Sequence, residues 1–373
     1  MPRDDELKPS GGALSASASA AAGGTDPLEP FRARMATLKS KIDDLPAKVR
    51  LSEGRDAAEN VETESNRVAD LANRVRELGY AWEKDLEARC LDYRRRWQEL
   101  RPQVLAALDK ESAALSGRVT QVAYQGNYAL QHATNPATAD QILSDGERPV
   151  AALINETEAA AKTIRGMFDN FSSDLHREQA HLEKIQAMLE RAAQSKIAWL
   201  PGEAVVGAVK AKWDRDGKDD PRGYLYLTDA RLIFERDEEI ATKKVLFVAT
   251  EKQRMQQVMF EAKLGEIENV LASKRGMFGN EDHLDFNFAP SANARQAHYH
   301  IDGQDANEWQ GLVQRVKTGG MESTRVTALS DAEKQRLRNA PTKCSNCGSP
   351  LTAPILRGQT DVKCPACGSV TRF

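Results

Sequence analysis

The sequence predicts a multidomain α+β chain: a long helical region, then a compact sheet domain closed by a helix, then a short cysteine-bearing tail. Three observations carry that prediction. From Val61 to Leu189 apolar residues recur in alternating steps of four and three, the spacing of a coiled-coil seam. At Pro201-Gly202 the period falls to two, as in strands with one buried face. Four of the five cysteines lie in the last thirty residues as two C-x-x-C pairs.

Composition sets the limits. A chain of 373 residues has room for more than one module. With 29% charged residues, 6% aromatics and a mean hydropathy of -0.57, it is too polar for one large globule and suits long solvated helices beside a smaller core. The net charge of -3 gives no whole-molecule attraction to nucleic acid or anionic lipid. No apolar run approaches the roughly 18 residues that a membrane-spanning helix needs. The opening MPRDDELKPSGG carries acids where a secretory signal has an apolar core. Paired C-x-x-C cysteines fit a reducing compartment and a metal site better than a disulfide framework, so the expected location is cytoplasmic.

Residues 1–26, rich in Ala, Ser and Gly, are expected to be a disordered tail. Residues 27–197 read as a helical coiled-coil region. A first helix is expected from Pro30 to Leu51, ended or bent by Pro46. A longer one runs from Asp56 towards Leu130, with Val61, Val68, Leu71, Val75, Leu78 and Trp82 on its seam. A stutter at Leu86 and a kink at Pro102 are expected within it. His132–Arg148 holds breakers, and Ser144 with Glu147 reads as a capping box that opens the next helix. That helix carries the seam Val150, Ile154, Thr157, Ala161, Ile164, Phe168, Phe171, Leu175, Glu178, Leu182, Ile185 and Leu189, with Glu178 its strongly polar interruption. The two stripes can bury each other as an intramolecular antiparallel hairpin or pair between chains in a coiled-coil oligomer. Tyr93-Arg-Arg-Arg-Trp97 sets basic charge between two rings, but both rings lie on the seam, so it reads as a solvated shoulder. Cys90, also on the seam, reads as a small core residue. His176 and His181 have the wrong offset for a metal pair on one helix face.

Past Pro201, strands are expected at Ala204–Trp213, Tyr224–Leu227, Leu232–Phe234, Val245–Val248, Val258–Phe260, Ile267–Leu271, His283–Phe288 and Ala297–Ile301, and the last two should pair. Asp305 to Glu308 caps a closing helix whose apolar face is Trp309, Leu312, Val313 and Val316, and Gly319-Gly320 stops it. His298 and His300 share one strand face and read as surface residues. Strands capped by one helix with a buried Trp resemble the pleckstrin-homology superfold, here as a barrel or sandwich over residues 200–318. The phrase LTDARLIF, preceded by GEAVVGAVKA, is similar to GRAM-type members of that group. The resemblance implies a surface that docks membrane lipid or protein. Phosphoinositide-binding members use basic residues near the first two strands, where this chain has Lys210, Lys212, Lys218 and Arg222. Asp214, Asp216, Asp219 and Asp220 interleave with them. Residues 200–320 hold 17 Lys and Arg against 20 Asp and Glu, so tight polyanion binding is not expected.

Residues 319–340 are a charged linker, in which Ser330 to Glu333 starts a short helix. In residues 341–373, Cys344, Cys347, Cys364 and Cys367 form two knuckles, each followed by glycine. Four thiolates at this spacing make a closed tetrahedral cage for one structural Zn²⁺, and the segment resembles a zinc ribbon. Leu351–Gln359 and Asp361–Lys363 are its expected strands. The functional expectation is a non-catalytic interaction scaffold or adaptor that docks protein partners, at a membrane surface in one variant. The alternative is a nucleic-acid-associated protein that uses the ribbon, whose balance is modestly basic. No phosphate-binding Gly loop, nucleophile elbow or open His-rich metal set points to an enzyme.

Overall fold

The computed structural model of the chain describes residues 26–372, apart from 216–219, 246–247, 277–278, 329, 331, 334, 336–338, 340, 350 and 352–360. The Ala-Ser-Gly tract lies outside the described residues. So do Lys218, Asp216 and Asp219 of the first sheet loop and most of the expected Leu351–Gln359 strand.

The helices are α1 (Glu29–Lys48), α2 (Ser52–Glu77), α3 (Leu86–His132), α4 (Pro136–Gly166) and α5 (Asp169–Ala193). The chain divides into two compact units. One combines the chain up to Arg55 with Leu105–Arg165; the other combines Asp56–Val104 with everything from Gly166 onward.

The first unit packs α1, the C-terminal half of α3, and α4. Leu38, Leu45, Leu108, Leu143, Val150 and Leu153 are buried there, each worth about 2 kcal/mol as apolar area removed from water. Two glycines permit the approach: a Cβ on Gly146 would sit 2.4 Å from that of Ala129, and one on Gly126 would sit 2.5 Å from Ile42 Cδ1. Arg34 of α1 donates to Glu147 at 2.8 Å and to Asp140 at 2.5 Å, tying α1 to α4. This corrects the expected link at His132–Arg148. The helix begins at Pro136, where Asn135 Oδ1 accepts from Ala137 N at 3.0 Å. Asp145-Gly146 and Pro149 lie inside it, and Gly146 is a packing position, not a breaker. Pro46 likewise sits within α1, and α3 runs through Pro102 as one element.

In the second unit, α2 and the N-terminal half of α3 pack with α5. The expected helix from Asp56 to Leu130 is in fact two, broken over residues 78–85, where Gly79 (φ +92°) and Glu83 (φ +54°) turn the chain back. What reads as a stutter is this elbow. The chain then doubles on itself, and Arg101 on α3 meets Glu62 on α2 at 2.7 Å. The stripe after Val150 is also interrupted, at Met167 and Phe168, between α4 and α5. Trp97 stacks on Phe171 at 5.7 Å and meets Phe168 edge-on at 5.8 Å, so the ring that invites a nucleic-acid reading is core.

The sheet domain has seven antiparallel strands: β1 (Val205–Asp214), β2 (Arg222–Thr228), β3 (Arg231–Val245), β4 (Val248–Lys263), β5 (Ile267–Arg275), β6 (Glu281–Phe288) and β7 (Gln296–Asp302). Their order is β4-β3-β2-β1-β7-β6-β5, so the first and last strands pair and join two meanders. Val245–Val248 is not a strand of its own. Val245 pairs with Val248 at the far end of a long β3–β4 hairpin. Gly223 on β2 faces the bulge after Phe234, where a Cβ would meet Glu235 O at 1.9 Å, so only glycine fits. Trp213, Phe234, Phe260, Phe286 and Tyr299 fill the core. The closing helix α6 (Ala306–Lys317) lays Trp309, Val313 and Val316 on that core, and Asp305 Oδ1 accepts from Asn307 N at 2.7 Å as its cap. Strands in this order with a C-terminal capping helix give a pleckstrin-homology-like architecture. In the tail, β8 (Asp361–Lys363) pairs with β9 (Val370–Arg372).

Candidate metal centre and docking surfaces

The tail brings its four cysteines together. Cys344 Sγ lies 3.6 Å from Cys367 Sγ, and Cys347 Sγ lies 3.7 Å from Cys364 Sγ. Four ligands at the Zn–S distance of about 2.3 Å have tetrahedral edges of about 3.8 Å, so the spacing fits that ion. The knuckles are built alike. Gly348 N donates to Cys344 O at 2.9 Å and Gly368 N to Cys364 O at 2.9 Å, with both glycines at positive φ, +70° and +75°. These turns aim amides at sulfur, and Asn346 N donates to Cys344 Sγ at 3.4 Å. The Ser369 hydroxyl stands 3.0 Å from both Cys344 and Cys367. That hydroxyl, helped by backbone N–H groups, holds both thiols below the usual cysteine range and favours the ligating thiolates. Cys344 and Cys364 are buried with Leu200, Leu351 and Val362, whereas Cys347 and Cys367 are exposed.

The LTDARLIF corner is a structural hub. Thr228 Oγ1 accepts from Arg231 N at 2.9 Å and donates to Glu203 Oε1 at 2.8 Å. Arg231 is buried and pairs with Glu203 at 2.9 Å and Glu261 at 2.8 Å, and it donates to Ala198 O at 2.6 Å. Asp229 Oδ1 accepts from Ala204 N at 2.8 Å, and its other oxygen takes Arg325 from beyond α6. Arg325 also lies 5.0 Å from the centroid of Trp82, whose Nε1 donates to Val205 O at 2.9 Å. Val326 N to Ala81 O (2.9 Å) and Lys84 N to Thr324 O (2.8 Å) complete a backbone clamp between the elbow and the chain after α6. The motif's polar residues therefore serve the corner itself, a role that needs partners scattered across the sequence.

The elbow has its own half-buried polar network. Glu83 accepts from Tyr80 OH at 2.8 Å and from Arg89 at 2.6 Å, and it pairs with His181 at 2.8 Å. Arg89 also reaches Glu178 at 2.9 Å, so the polar interruption of the seam is an ion-pair partner. Burial opposes ionisation of Glu83, but the bonds from His181 and Arg89 prevail and hold it at about 2. The Cys90 thiol is pushed up to about 12, first by burial, then by Glu178, which leaves it an inert core residue.

On β6 and β7 the register sets His283 opposite His300 and Asp285 opposite His298. This gathers three imidazoles on the face turned away from the core, with His283 stacked between His298 (5.0 Å) and His300 (4.8 Å). Glu281, His283 and His300 have ligand atoms within 4.8 Å of one another. The sequence reading places His298 and His300 alone at the surface; the strand pairing supplies the missing third histidine and its carboxylates.

A groove of about 460 Å³ runs beside β4. Trp199, Val258 and Leu351 give it apolar walls, and Lys196, Gln257 and Lys343 its polar rim. Because β4 ends the strand order, its outer edge carries no neighbouring strand among the described residues. The opposite edge strand, β5, is partly covered by α6: Ala272 N donates to Gln310 Oε1 at 3.0 Å and Lys317 Nζ to Glu268 O at 3.2 Å. Among the described residues no helix is long and apolar enough to cross a membrane.

No protein-family profile and no curated protein matches the chain. Solved structures with some likeness include the linker-DH/PH domains of p115-RhoGEF, at 12% identity over 72% of this chain and 98% of that one, with a TM-score of 0.22. Another is the complex of the PDZ-RhoGEF DH/PH domains with activated RhoA, at 11% identity over 80% and 96%, with a TM-score of 0.24. The sheet domain's character follows from its own strand order and capping helix.

Proposed function

We propose that this chain is a non-catalytic interaction scaffold. Its GRAM-type, pleckstrin-homology-like domain (residues 200–318) docks an extended segment of a protein partner. The same chain carries a coiled-coil helical region and a zinc ribbon, with Cys344, Cys347, Cys364 and Cys367 on one structural Zn²⁺. Such a thiolate site belongs in a reducing compartment, and the cytoplasm is the place proposed for it.

The observation that carries the reading is the groove along β4. An edge strand offers backbone N–H and C=O groups to an added strand, and apolar pockets beside it select side chains. Val258 is 36% exposed at that edge, and Trp199 and Leu351 stand across from it. Four cysteines leave a bound zinc no open position, so the metal's role is to fold the wall that carries Leu351.

The test is recovery of partners from nuclease-treated lysate on the full chain and on Val258→Asp. A set of proteins held by the wild type, surviving nuclease and lost from the variant supports docking at β4. Partners that vanish with nuclease, or that bind both chains equally, would sink the assignment.

A further inference from the structure

The three imidazoles on β6 and β7 are joined in a chain of hydrogen bonds whose direction can be worked out. His298 Nδ1 lies against the Asp285 carboxylate, which only accepts, so that nitrogen carries the proton. In the neutral ring Nε2 is then an acceptor. It faces His283 Nδ1 at 2.9 Å, so His283 donates from Nδ1. That leaves a lone pair on His283 Nε2, and 3.4 Å in front of it stands Glu281 Oε2, another acceptor. With His298 neutral, two acceptors face each other across this gap, an arrangement that suits a cation between them.

His283 is 8% exposed and stacked between two further imidazoles, and a metal ion binds the neutral ring whose free nitrogen faces Glu281. Tetrahedral ligands at about 2.0–2.1 Å stand about 3.4 Å apart, which is the Glu281–His283 separation. His300 completes the set from the opposite strand within 4.8 Å and must close a gap of up to about 1.4 Å to reach the tetrahedral edge. Its side chain is 30% exposed and has room to move. The Asp285–His298–His283 chain is the carboxylate–histidine support that orients a ligating ring. Of the cations nearby, Arg275 is bound to Asp285 at 2.7 Å and Lys212 to Asp220 at 2.9 Å.

We propose that Glu281, His283 and His300 form a second metal site, which takes a divalent transition ion of the Zn²⁺ class and keeps one coordination position open. Two nitrogens and a carboxylate are the donor set that suits such ions, in contrast to the closed thiolate cage of the tail.

The test uses the full chain, purified with its tail zinc, and Zn²⁺ itself as the probe. Calorimetric titration should show one further equivalent. His300→Ala and Glu281→Gln, both at accessible positions, should weaken it by at least about tenfold, and His298→Asn, a positioning change, by about 10–100-fold. Melting curves recorded with chelator should be unchanged by His300→Ala and Glu281→Gln. In a parallel Co²⁺ titration of the metal-stripped full chain, the second equivalent should give visible ligand-field bands without a sulfur charge-transfer band. No further equivalent in the wild type, a further equivalent unaffected by either accessible variant, or one that brings a thiolate band would overturn the proposal. The thiolate band of the first equivalent reports on the tail separately, so failure of one site is not mistaken for failure of the other.

Discussion

The tail and the β6–β7 face are two ways of gathering ligands. In the tail, each pair of donors sits on one tight turn, its glycine at positive φ and its sulfurs met by local amides. On β6–β7 the donors come from two strands, and their partners Asp285 and His298 face each other across the pairing. Among the described residues of the tail, the apolar cluster is small: Leu351 and Val362 pack with Cys344 and Cys364 against Leu200. The histidines stand on a sheet whose other face is filled with aromatics. A site of the first kind depends on its metal for structure, whereas one of the second kind exists without it.

The largest expected effect separates the two directly. Cys344→Ser or Cys367→Ser should abolish zinc binding by the tail, a contribution expected to be on the order of 10 kcal/mol, and undo the β8–β9 pairing. The sheet domain should keep its melting transition. Elemental analysis and a thermal melt read both outcomes, and a sheet that melts with the tail would erase the contrast.

Next in size is Arg231→Leu. Arg231 adjoins Ala230, which packs with Leu200 and the tail. Its loss takes the countercharge from Glu261 and from Glu203, whose side chain is 0% exposed and keeps the bonds from Thr228 Oγ1 and Leu200 N. Removing one partner of a buried ion pair costs about 3–5 kcal/mol. Urea melts should show that loss in the sheet domain; a change below about 1 kcal/mol would mean the corner is not a stability hub.

A smaller effect distinguishes two histidines. Burial lowers His283, whereas the hydrogen bond to Glu83 raises His181 above its ordinary 6.5. Proton NMR titration should therefore find them on opposite sides of that value. The elbow's stability follows. Glu83, ordinarily 4.5 and here about 2, contributes above 4.5 and loses that contribution as the pH falls towards 2. His181, being raised, contributes fully below 6.5 and loses its share as the pH climbs past its folded value. Stability should crest between those limits, and His181→Gln should flatten the alkaline side and also lessen the acid-side loss, because the His181 bond helps hold Glu83 down. An alkaline side unchanged by the variant would contradict the pairing.

The smallest effect concerns lipid. Lys212 is already bound to Asp220, and the domain carries more acids than bases. Vesicles containing phosphoinositide should show only weak, salt-sensitive binding that Lys210→Ala with Arg222→Ala barely alters. Micromolar retention at physiological salt, lost in that double variant, would move the docking surface from β4 to the first loop.

The sequence by itself determined what local periodicity and spacing can carry. Alternation of four and three marked the buried positions Val68, Val75, Leu175 and Leu182. Asp305 and Gly319 bounded the closing helix, and the two knuckles stood out because a metal cage of this kind is assembled from neighbours along the chain. Tertiary structure alone decided the rest. The elbow at Gly79 and Glu83 keeps the heptad phase close enough to pass for a stutter, and its turn depends on Arg76 gripping the carbonyls of Tyr80 and Trp82, at 2.8 Å and 2.5 Å. Gly146 is a packing glycine only because Ala129 lies against it. His283 meets His300, and Arg231 meets Glu261, through strand register. Register is fixed by the whole pattern of inward-facing residues on both strands, and a one-residue slip would scatter every such pair to the opposite face.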